Sequence, residues 1–277
     1  MKLGVLGAGG FIGSEIHRAA LTSSRIEEVR AYTRHDSNLT DVDSWGEQLA
    51  GLDCVVNAAV QIDGPTYDVY AANALFTHEL ALHLNRLEIA KFINLSTGAI
   101  YGKNGDPTSP SFPCRPDGDY AVSKYLGERL LTGFYDGHLN HLRIYYPYGP
   151  GQAPPRFVPR LIDSIAAGQE VTCDARGGPY LSMSHVEDVA AVILEHFVLE
   201  TADAPVCNVA SPHRIPVLDI ANEIGRLLKV TPKIFRQDSD AVDVVSVPYD
   251  RWSWRAFSLD ECVAARLDDA ADGAITS

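Results

Sequence analysis

A tyrosine and a lysine four residues apart are the pair in this sequence best suited to proton chemistry. Tyr120 and Lys124 fall in a stretch, 120–134, whose apolar spacing predicts a helix, so both side chains would lie on one face. A free tyrosine has a pKa of about 10, too high for a base at neutral pH, but a nearby ammonium favours the phenolate and lowers that pKa. The spacing therefore predicts acid–base chemistry at Tyr120. The alternative is a surface pair without a role.

A glycine-rich turn near the start of the chain predicts a site for a dinucleotide phosphate. The apolar run 3–6 predicts a buried strand, and an amphipathic helical pattern begins directly after the turn. Glycines let a phosphate approach the backbone, and the start of a helix offers free N–H groups and a positive dipole end. The spacing is wider than the fingerprint Gly-x-Gly-x-x-Gly, and a turn without a ligand is the alternative. The residues predicted to bind the cofactor here are Gly7, Gly10, Phe11, Ile12 and Gly13.

The end of the second predicted strand indicates which nicotinamide dinucleotide binds. A ribose-binding acid is expected about 20 residues after the glycine turn, but Thr33 and Arg34 follow the strand instead. An arginine at this place can pair with the 2′-phosphate of NADP. Arg34 therefore favours NADP, whereas the nearby Asp36 keeps NAD as the alternative. We also expect cofactor contacts from Thr33 and from Asp41, the latter ending a short strand remnant beside adenine.

Hydroxyl groups follow the fourth predicted strand, where Ser96 and Thr97 come directly after the apolar run 91–95. A hydroxyl at a strand end can hydrogen-bond a reacting carbonyl or alcohol. With the glycine turn and the Tyr–Lys pair, these residues resemble the extended short-chain dehydrogenases/reductases, in the NAD-dependent epimerase/dehydratase group that acts mainly on nucleotide sugars. The resemblance runs from residue 1 to about residue 230. It also rests on Asn73 and on the segments 55–59, 101–102, 142–150, 185–190 and, more weakly, 207–211.

The resemblance implies roles for individual residues. Thr97, four residues before Tyr101, matches the family's catalytic Ser or Thr, and Ser96 is the competing hydroxyl. Tyr120 matches the acid/base. Lys124 matches the residue that binds the nicotinamide ribose and lowers the tyrosine pKa. The cofactor contacts implied in this way are Ala58, Ala59, Asn73, Tyr120, Lys124 and Tyr146, and the implied substrate contacts are Thr97, Gly98, Tyr146 and Arg156.

Departures from the family pattern narrow the expected reaction. The family's 4,6-dehydratases carry an Asp–Glu pair after the threonine, but this chain has Gly98 and Ala99, so the acids that eliminate water are missing. Tyr146 stands where the family often has an asparagine that touches the sugar nucleotide. We therefore expect an NADP-dependent oxidoreductase that reduces a keto group of a nucleotide-linked sugar or deoxysugar, a 4-ketoreductase with Tyr120 as general acid. The alternatives are an epimerase with tightly bound NAD and a non-catalytic dinucleotide-binding protein.

The alternation of strand and helix patterns predicts an α/β protein with a Rossmann-type doubly wound parallel sheet. Strands are expected near 2–6, 28–33, 53–58, 91–95 and 140–146, and helices near 11–22, 70–88 and 120–135. We expect residues 1–150 to form a dinucleotide-binding domain, and residues from about 184 to 210 to return to it and complete it. Residues 151–183 and 211–277 would form a smaller C-terminal substrate-binding domain. The Ala- and Asp-rich stretch beyond residue 260 predicts a poorly ordered tail.

Composition excludes some classes of partner. The formal charge of −13 argues against nucleic acid, whose phosphates need a basic surface. No apolar run approaches the length of a membrane helix, and the first strand begins too early to leave room for a signal peptide. Five scattered cysteines fit reduced thiols in a cytoplasm, and the histidines form no ligand cluster, so we expect a cytoplasmic protein without a metal. We also expect a homodimer. Arginines that could clamp a phosphorylated substrate are Arg143, Arg156, Arg160, Arg176 and Arg214.

Overall fold

A parallel β-sheet organises the first half of the chain. The structure is a computed structural model that describes residues 1–33, 41–237 and 241–275. Within these ranges the main sheet has six strands, all parallel, in the order β10–β5–β4–β3–β1–β2. The strands in chain order are β1 (Lys2–Leu6), β2 (Glu28–Tyr32), β3 (Cys54–Asn57), β4 (Lys91–Thr97), β5 (His138–Ile144), β6 (Pro147–Tyr148), β7 (Glu170–Cys173), β8 (Tyr180–Ser182), β9 (Ser184–His185), β10 (Val206–Val209), β11 (Arg214–Pro216) and β12 (Lys233–Arg236).

Helices connect these strands. The long helix predicted near 70–88 is built from α3, a π-helical turn (Ala71–Leu75) and α4, and a second π-helical segment (Ile193–Leu199) continues α7. The helices are α1 (Phe11–Thr22), α2 (Val42–Trp45), α3 (Thr66–Tyr70), α4 (Phe76–Arg86), α5 (Asp119–Phe134), α6 (Phe157–Ala166), α7 (Val186–Val192), α8 (Val217–Leu228) and α9 (Asp260–Ile275).

The doubly wound parallel sheet predicted from the sequence is confirmed. Its central strands β1, β3, β4 and β5 are largely buried, with both faces covered, as parallel sheets require. Helix α1 packs with the segment 193–199, whereas α4 and α5 pack together, and α5 also contacts β4. The chain passes from β2 on one side of β1 to β3 on the other, which makes the carboxyl ends of β1 and β3 a topological switch point, the usual ligand site of such sheets.

The chain divides into two compact units. Unit 1 comprises residues 1–102, 108–144 and 187–209, and unit 2 comprises 103–107, 145–186 and 210–277. The apolar core of unit 1 includes Leu6, Val55, Leu80 and Phe92. Unit 2 has its own core, in which residues of α6 and α8 surround Tyr148.

The predicted poorly ordered tail is wrong for residues 260–275, which form α9. The Ala- and Asp-rich composition suggested a segment with too little apolar surface to fold. Cys262 and Val263 nevertheless bury their side chains in the core of unit 2, and Arg266 pairs with Asp163 of α6 at 2.7 Å. These tertiary contacts dock α9 and hold it helical, although its composition alone does not favour order.

Candidate active site

The glycine turn after β1 forms a cradle in which side chains would not fit. Gly7 has φ +73°, and a Cβ there would lie 2.7 Å from the backbone nitrogen of Ala59. A Cβ on Gly13 would lie 2.1 Å from the Gly7 carbonyl oxygen. Glycine is therefore required for α1 to begin so close to the turn and for the turn to lie against the residues after β3.

The start of α1 is open to an anion. Gly10 is the N-cap and offers no capping side chain, and the first turn of the helix, which the structure describes in full, has no acidic residue. The backbone N–H groups of Phe11, Ile12 and Gly13 are those that a helix leaves without helical acceptors. The Thr33 side chain lies 3.6 Å from the position of a Cβ on Gly9. These groups fit the pyrophosphate of a dinucleotide, whose negative charge the helix dipole would stabilise.

The residues after β3 are held in place beside the glycine turn. The Ala58 N–H donates to Leu6 at 2.9 Å, and the Ala59 N–H donates to the Asn57 side chain at 3.1 Å. Both alanines are half-buried. Their small side chains leave the edge of the sheet accessible, as expected for residues that line a cofactor site.

The buried Asn73 connects this loop to α5. Its amide donates to the Gln61 carbonyl at 2.6 Å and to Ser123 Oγ at 3.1 Å, and its Oδ1 accepts from the Gln61 N–H at 3.0 Å. Helix α5 approaches Asn73 closely because Gly127 has no side chain: a Cβ there would lie 2.4 Å from the Asn73 carbonyl oxygen. Both amide hydrogens of Asn73 thus have protein acceptors. Its geometry supports positioning of the loop rather than the direct cofactor contact expected from the sequence.

Helix α5 carries the predicted acid–base pair. Tyr120 lies in its first turn and is half-buried, and Lys124 follows one turn later and is 2% exposed. Burial lowers the pKa of Lys124 to about 8, and the negative charge of Glu128 opposes this effect. A lysine with this pKa remains largely protonated at neutral pH, and its charge favours the phenolate of a neighbouring tyrosine.

The two hydroxyl groups at the end of β4 point to different surroundings. Ser96 is buried, whereas Thr97 is half-exposed, because successive side chains of a strand face opposite sides. Thr97 Oγ1 accepts from the Ala99 N–H at 3.2 Å and caps the 3-10 turn Gly98–Tyr101, which packs against α5. Accessibility favours Thr97 over Ser96 as the hydroxyl that meets a substrate, in agreement with the family resemblance.

A buried ion pair lies beneath α5. Arg143 of β5 donates to both carboxylate oxygens of Glu128, at 3.1 and 2.7 Å, and also to Tyr101 Oη at 2.8 Å. Tyr101 in turn donates to Asn208 of β10 at 2.7 Å. Burial alone would raise the pKa of Glu128, but Arg143 outweighs it and holds that pKa below its usual value. Arg143, one candidate clamp for a phosphate, is therefore already bound to Glu128 inside unit 1.

A ladder of polar side chains crosses the same face of the sheet. Asn57 donates to Asn94 at 3.3 Å, and Asn94 lies 3.3 Å from His141 Nδ1. Thr132 donates its hydroxyl hydrogen to the Glu128 carbonyl and lies 3.0 Å from His141 Nε2. His141 is thus neutral with hydrogen on Nε2, and burial lowers its pKa to about 4. Sequence reasoning missed this ladder, although the register of β3, β4 and β5 aligns its three strand residues.

Tyr146 and Arg156, two residues expected to contact the substrate, lie in unit 2. Tyr146 is half-buried, its ring meets Phe157 edge to face, and its φ of +29° is strained for a tyrosine. The asparagine typical of the family tolerates such a backbone better. Arg156 is exposed at the N-terminus of α6, and Arg176 pairs with Asp174 and Asp243.

Several expectations concern other parts of the chain. Arg34 and Asp36 lie outside the described residues, and Asp41 is exposed just before α2. In the described ranges, no cluster of His, Cys, Asp or Glu is arranged to hold a metal, and no helix is long and apolar enough to span a bilayer. All five cysteines, each of which is described, are free thiols.

Comparisons with known proteins find relatives in sequence and solved structures of the same fold. A dTDP-glucose 4,6-dehydratase from Streptomyces niveus is 25% identical over 222 residues, which is 68% of this chain and 66% of that protein, so the chain spans slightly less than two thirds of this relative. The UDP-glucose 4-epimerase of Thermus thermophilus, solved with NAD, superposes with a TM-score of 0.80 at 22% identity, covering 96% of this chain and 99% of the other. A dTDP-4-dehydrorhamnose reductase from Clostridium acetobutylicum has a TM-score of 0.78 at 19% identity and covers 98% and 100%.

These two solved structures show the fold, and their names span epimerisation and reduction. The model of the NAD dependent epimerase/dehydratase family matches residues 3–210, about three quarters of the sequence. The glycine cradle, Tyr120 and Lys124 all lie inside this range. The chain therefore belongs to the NAD dependent epimerase/dehydratase family.

Proposed function

We propose that this protein is an NADP(H)-dependent reductase of a keto group on a nucleotide-linked sugar or deoxysugar, namely a 4-ketoreductase. The observation that carries the proposal is the buried, charged Lys124, which lies one turn after Tyr120 on α5. The glycine cradle after β1, in the same unit, fits a dinucleotide. Membership of the family supports nucleotide sugars as the substrate class.

Each residue of the pair has a separate task in this reaction. NADPH, when bound, supplies the hydride that adds to the carbonyl carbon. Tyr120 gives its phenolic proton to the carbonyl oxygen, and Lys124 stabilises the phenolate that remains. Thr97 donates a hydrogen bond to the same oxygen and fixes its position.

Gly98 and Ala99 favour reduction over dehydration. Elimination of water needs one acid to protonate the leaving hydroxyl and a base to remove a carbon-bound proton. Neither residue can do either, although the relatives compared above include a 4,6-dehydratase. The proposal therefore places this chain with the reductases of the family.

Substitution of Tyr120 by phenylalanine tests the proposed acid. Only the phenolic proton is lost, so we expect kcat to fall by roughly 10²–10⁴-fold while cofactor affinity stays near the wild-type value. The assay follows nicotinamide absorbance with candidate nucleotide keto-sugars. Tyr125→Phe, which removes a hydroxyl from the same helix, is the matched control. A Tyr120→Phe variant that keeps more than about a tenth of wild-type kcat contradicts the assignment.

The same preparation distinguishes the alternatives. An epimerase would carry tightly bound nicotinamide after purification and would turn over without added cofactor. A non-catalytic protein would bind the dinucleotide and show no turnover with any nucleotide sugar. A reductase consumes one equivalent of NADPH for each alcohol formed.

The preference for NADP rests on Arg34. An arginine–phosphate pair is charge-assisted, so Arg34→Ala should weaken NADPH binding by about tenfold or more and leave NADH binding nearly unchanged. Titration of NADPH and of NADH into the wild-type protein and into Arg34→Ala measures the four dissociation constants. Equal losses for the two cofactors, or a wild-type protein that prefers NADH, would show that NAD is the cofactor.

We also propose that the protein is a homodimer. Large apolar side chains are exposed along α3, α4 and α5 of unit 1 and on the turn that joins α3 to α4, and exposed apolar patches mark interaction sites. Helices α4 and α5 pack side by side, so a second copy related by a two-fold axis would cover both. The exposed residues are Tyr67, Leu75, Leu82, Leu126 and Phe134.

A further inference from the structure

The buried ion pair between Glu128 and Arg143 has no part in the reaction described above. Their side chains are 4% and 5% exposed, and the guanidinium meets the carboxylate through two hydrogen bonds. Desolvation of two ions offsets much of their attraction, so a buried pair by itself contributes little to stability. Its place in the molecule therefore calls for another explanation.

Glu128 places a negative charge beside Lys124. The two residues lie one turn apart on the same buried face of α5. Burial disfavours the charged form of Lys124, and Glu128 acts against this effect. Without the carboxylate, Lys124 would share a buried layer with the guanidinium of Arg143, and both groups carry positive charge.

Arg143 joins α5 to the turn that follows Thr97. Its Nη1 donates to Tyr101 Oη at 2.8 Å and to the Pro110 carbonyl at 3.2 Å. Tyr101 ends the 3-10 turn that Thr97 caps, and Pro110 lies in the segment that leads to α5. One guanidinium therefore contacts the helix of Lys124, the turn of Thr97 and the connection between them.

We propose that Glu128 and Arg143 are positioning residues: Glu128 supplies the counter-charge of Lys124, and its ion pair with Arg143 fixes α5 against the turn that follows Thr97. This inference rests on the role proposed above for Lys124 beside Tyr120. The charged and titratable groups that face Glu128 are Lys124 on α5, His141 and Arg143 on β5, Tyr101 after β4, and Cys114 in the segment before α5.

The first experiment measures the ionisation of Lys124 directly. NMR spectra of the full chain labelled with ¹³C-lysine are recorded from pH 6 to 10, and Lys124 is assigned as the cross-peak missing from Lys124→Arg. The wild-type midpoint should lie near 8. Glu128→Gln should lower it by about one pH unit, because two buried cations then lack a counter-charge. Glu47→Gln, which removes a carboxylate from the exposed pair with Arg86, should leave it unchanged.

An unchanged midpoint in folded Glu128→Gln would overturn the proposal. If that variant does not fold, Glu128→Asp keeps the charge but withdraws it by one methylene, and a smaller downward shift is expected. A folded Glu128→Asp with the wild-type midpoint and wild-type turnover would equally overturn it. These spectra need no substrate, so a correct shift without any reductase activity would contradict the proposed function and leave this inference standing.

The second experiment tests the connection made by Arg143. Arg143→Lys keeps the positive charge but cannot make the forked contact with Glu128 and the bond to Tyr101 together. We expect kcat to fall at least about tenfold with little change in KM, because Tyr120 and Thr97 lose their relative placement. A purely structural role would lower the unfolding temperature and leave kcat intact at low temperature, and that result would overturn the proposal.

Discussion

Glycines at two places let backbones approach each other more closely than any side chain would allow. Gly13 brings α1 against the glycine turn, and Gly127 brings α5 against the Asn73 carbonyl. The first contact shapes the dinucleotide cradle. The second sets the distance between α5 and the loop that Asn73 holds. At this scale, single missing Cβ atoms determine the geometry of the site.

Gly13→Ala should disturb both the fold and the cradle. A Cβ 2.1 Å from the Gly7 carbonyl oxygen forces α1 to move, which should cost about 1–3 kcal/mol of unfolding free energy and weaken dinucleotide binding. Gly133→Ala is the matched control. Its Cβ would meet nothing within 4 Å, so it should stabilise α5 by about 0.5–1 kcal/mol. Denaturant unfolding and cofactor titration measure both, and a Gly13→Ala protein as stable as the wild type refutes the argument.

Gly98 and Ala99 also determine an expected absence of activity. We predict that the protein, supplied with NAD and UDP- or dTDP-glucose, forms no 4-keto-6-deoxy sugar, because the two residues directly after Thr97 are not acids. Chromatography of the nucleotide sugars measures the product. Formation of this product would mean that acids elsewhere, such as Asp106, Asp117 or Asp119, perform the elimination.

At the scale of elements, α5 rests on a polar layer rather than an apolar one. The face of β4 and β5 beneath it carries Asn94, His141 and Arg143, which pair with groups of α5 and of β3. The hydrogen bonds among these buried polar groups favour a single arrangement of the elements that carry them. The layer therefore orients the helix that holds Tyr120 and Lys124.

His141 should make the protein less stable as the pH falls from 6.5 to 4. Its pKa is lowered from 6.5 to about 4 in the folded protein, so the unfolded chain takes up its proton first. A proton on Nδ1 would also face the amide hydrogens of Asn94. The loss amounts to about 3 kcal/mol across this window. His141→Gln should reduce the pH dependence of unfolding free energy by this amount. Identical pH profiles for His141→Gln and wild type would contradict the prediction.

At the scale of the whole molecule, the chain combines a charge of −13 with a local apolar face on α3, α4 and α5. Net charge of this size keeps molecules apart in general, so association requires a specific surface. Leu82 and Leu126 are large exposed side chains of α4 and α5. A stable interface needs about 800 Å² from each partner, which two helices of this length can provide.

Sedimentation should therefore give twice the chain mass of 30.1 kDa. Leu82→Glu combined with Leu126→Glu should shift the protein to the monomer, because buried charges without partners oppose association. Leu21→Glu changes a more exposed leucine on α1 and should leave the dimer intact. A monomeric wild type, or a double variant that stays dimeric, would rule out this interface.

The sequence by itself determined the alternation of strands and helices in residues 1–150, the glycine turn and the spacing of Tyr120 and Lys124. Each of these depends on residues within a few positions of one another, where periodicity and backbone freedom decide the local structure. Family membership follows from the same motifs, which is why it could be predicted and is confirmed.

Only the tertiary structure decided which side chains from different parts of the chain contact each other. Arg143 binds Glu128 rather than a phosphate, Asn73 bonds to Gln61 and Ser123, and Val263 anchors a helix where a loose tail was expected. A charge, an amide or an apolar side chain finds its partner through strand register and helix packing, and the hydrogen-bonded partners named here are 12 to 50 positions apart in the chain. Local sequence patterns do not specify which distant residues come into contact, so these contacts could not have been predicted from them.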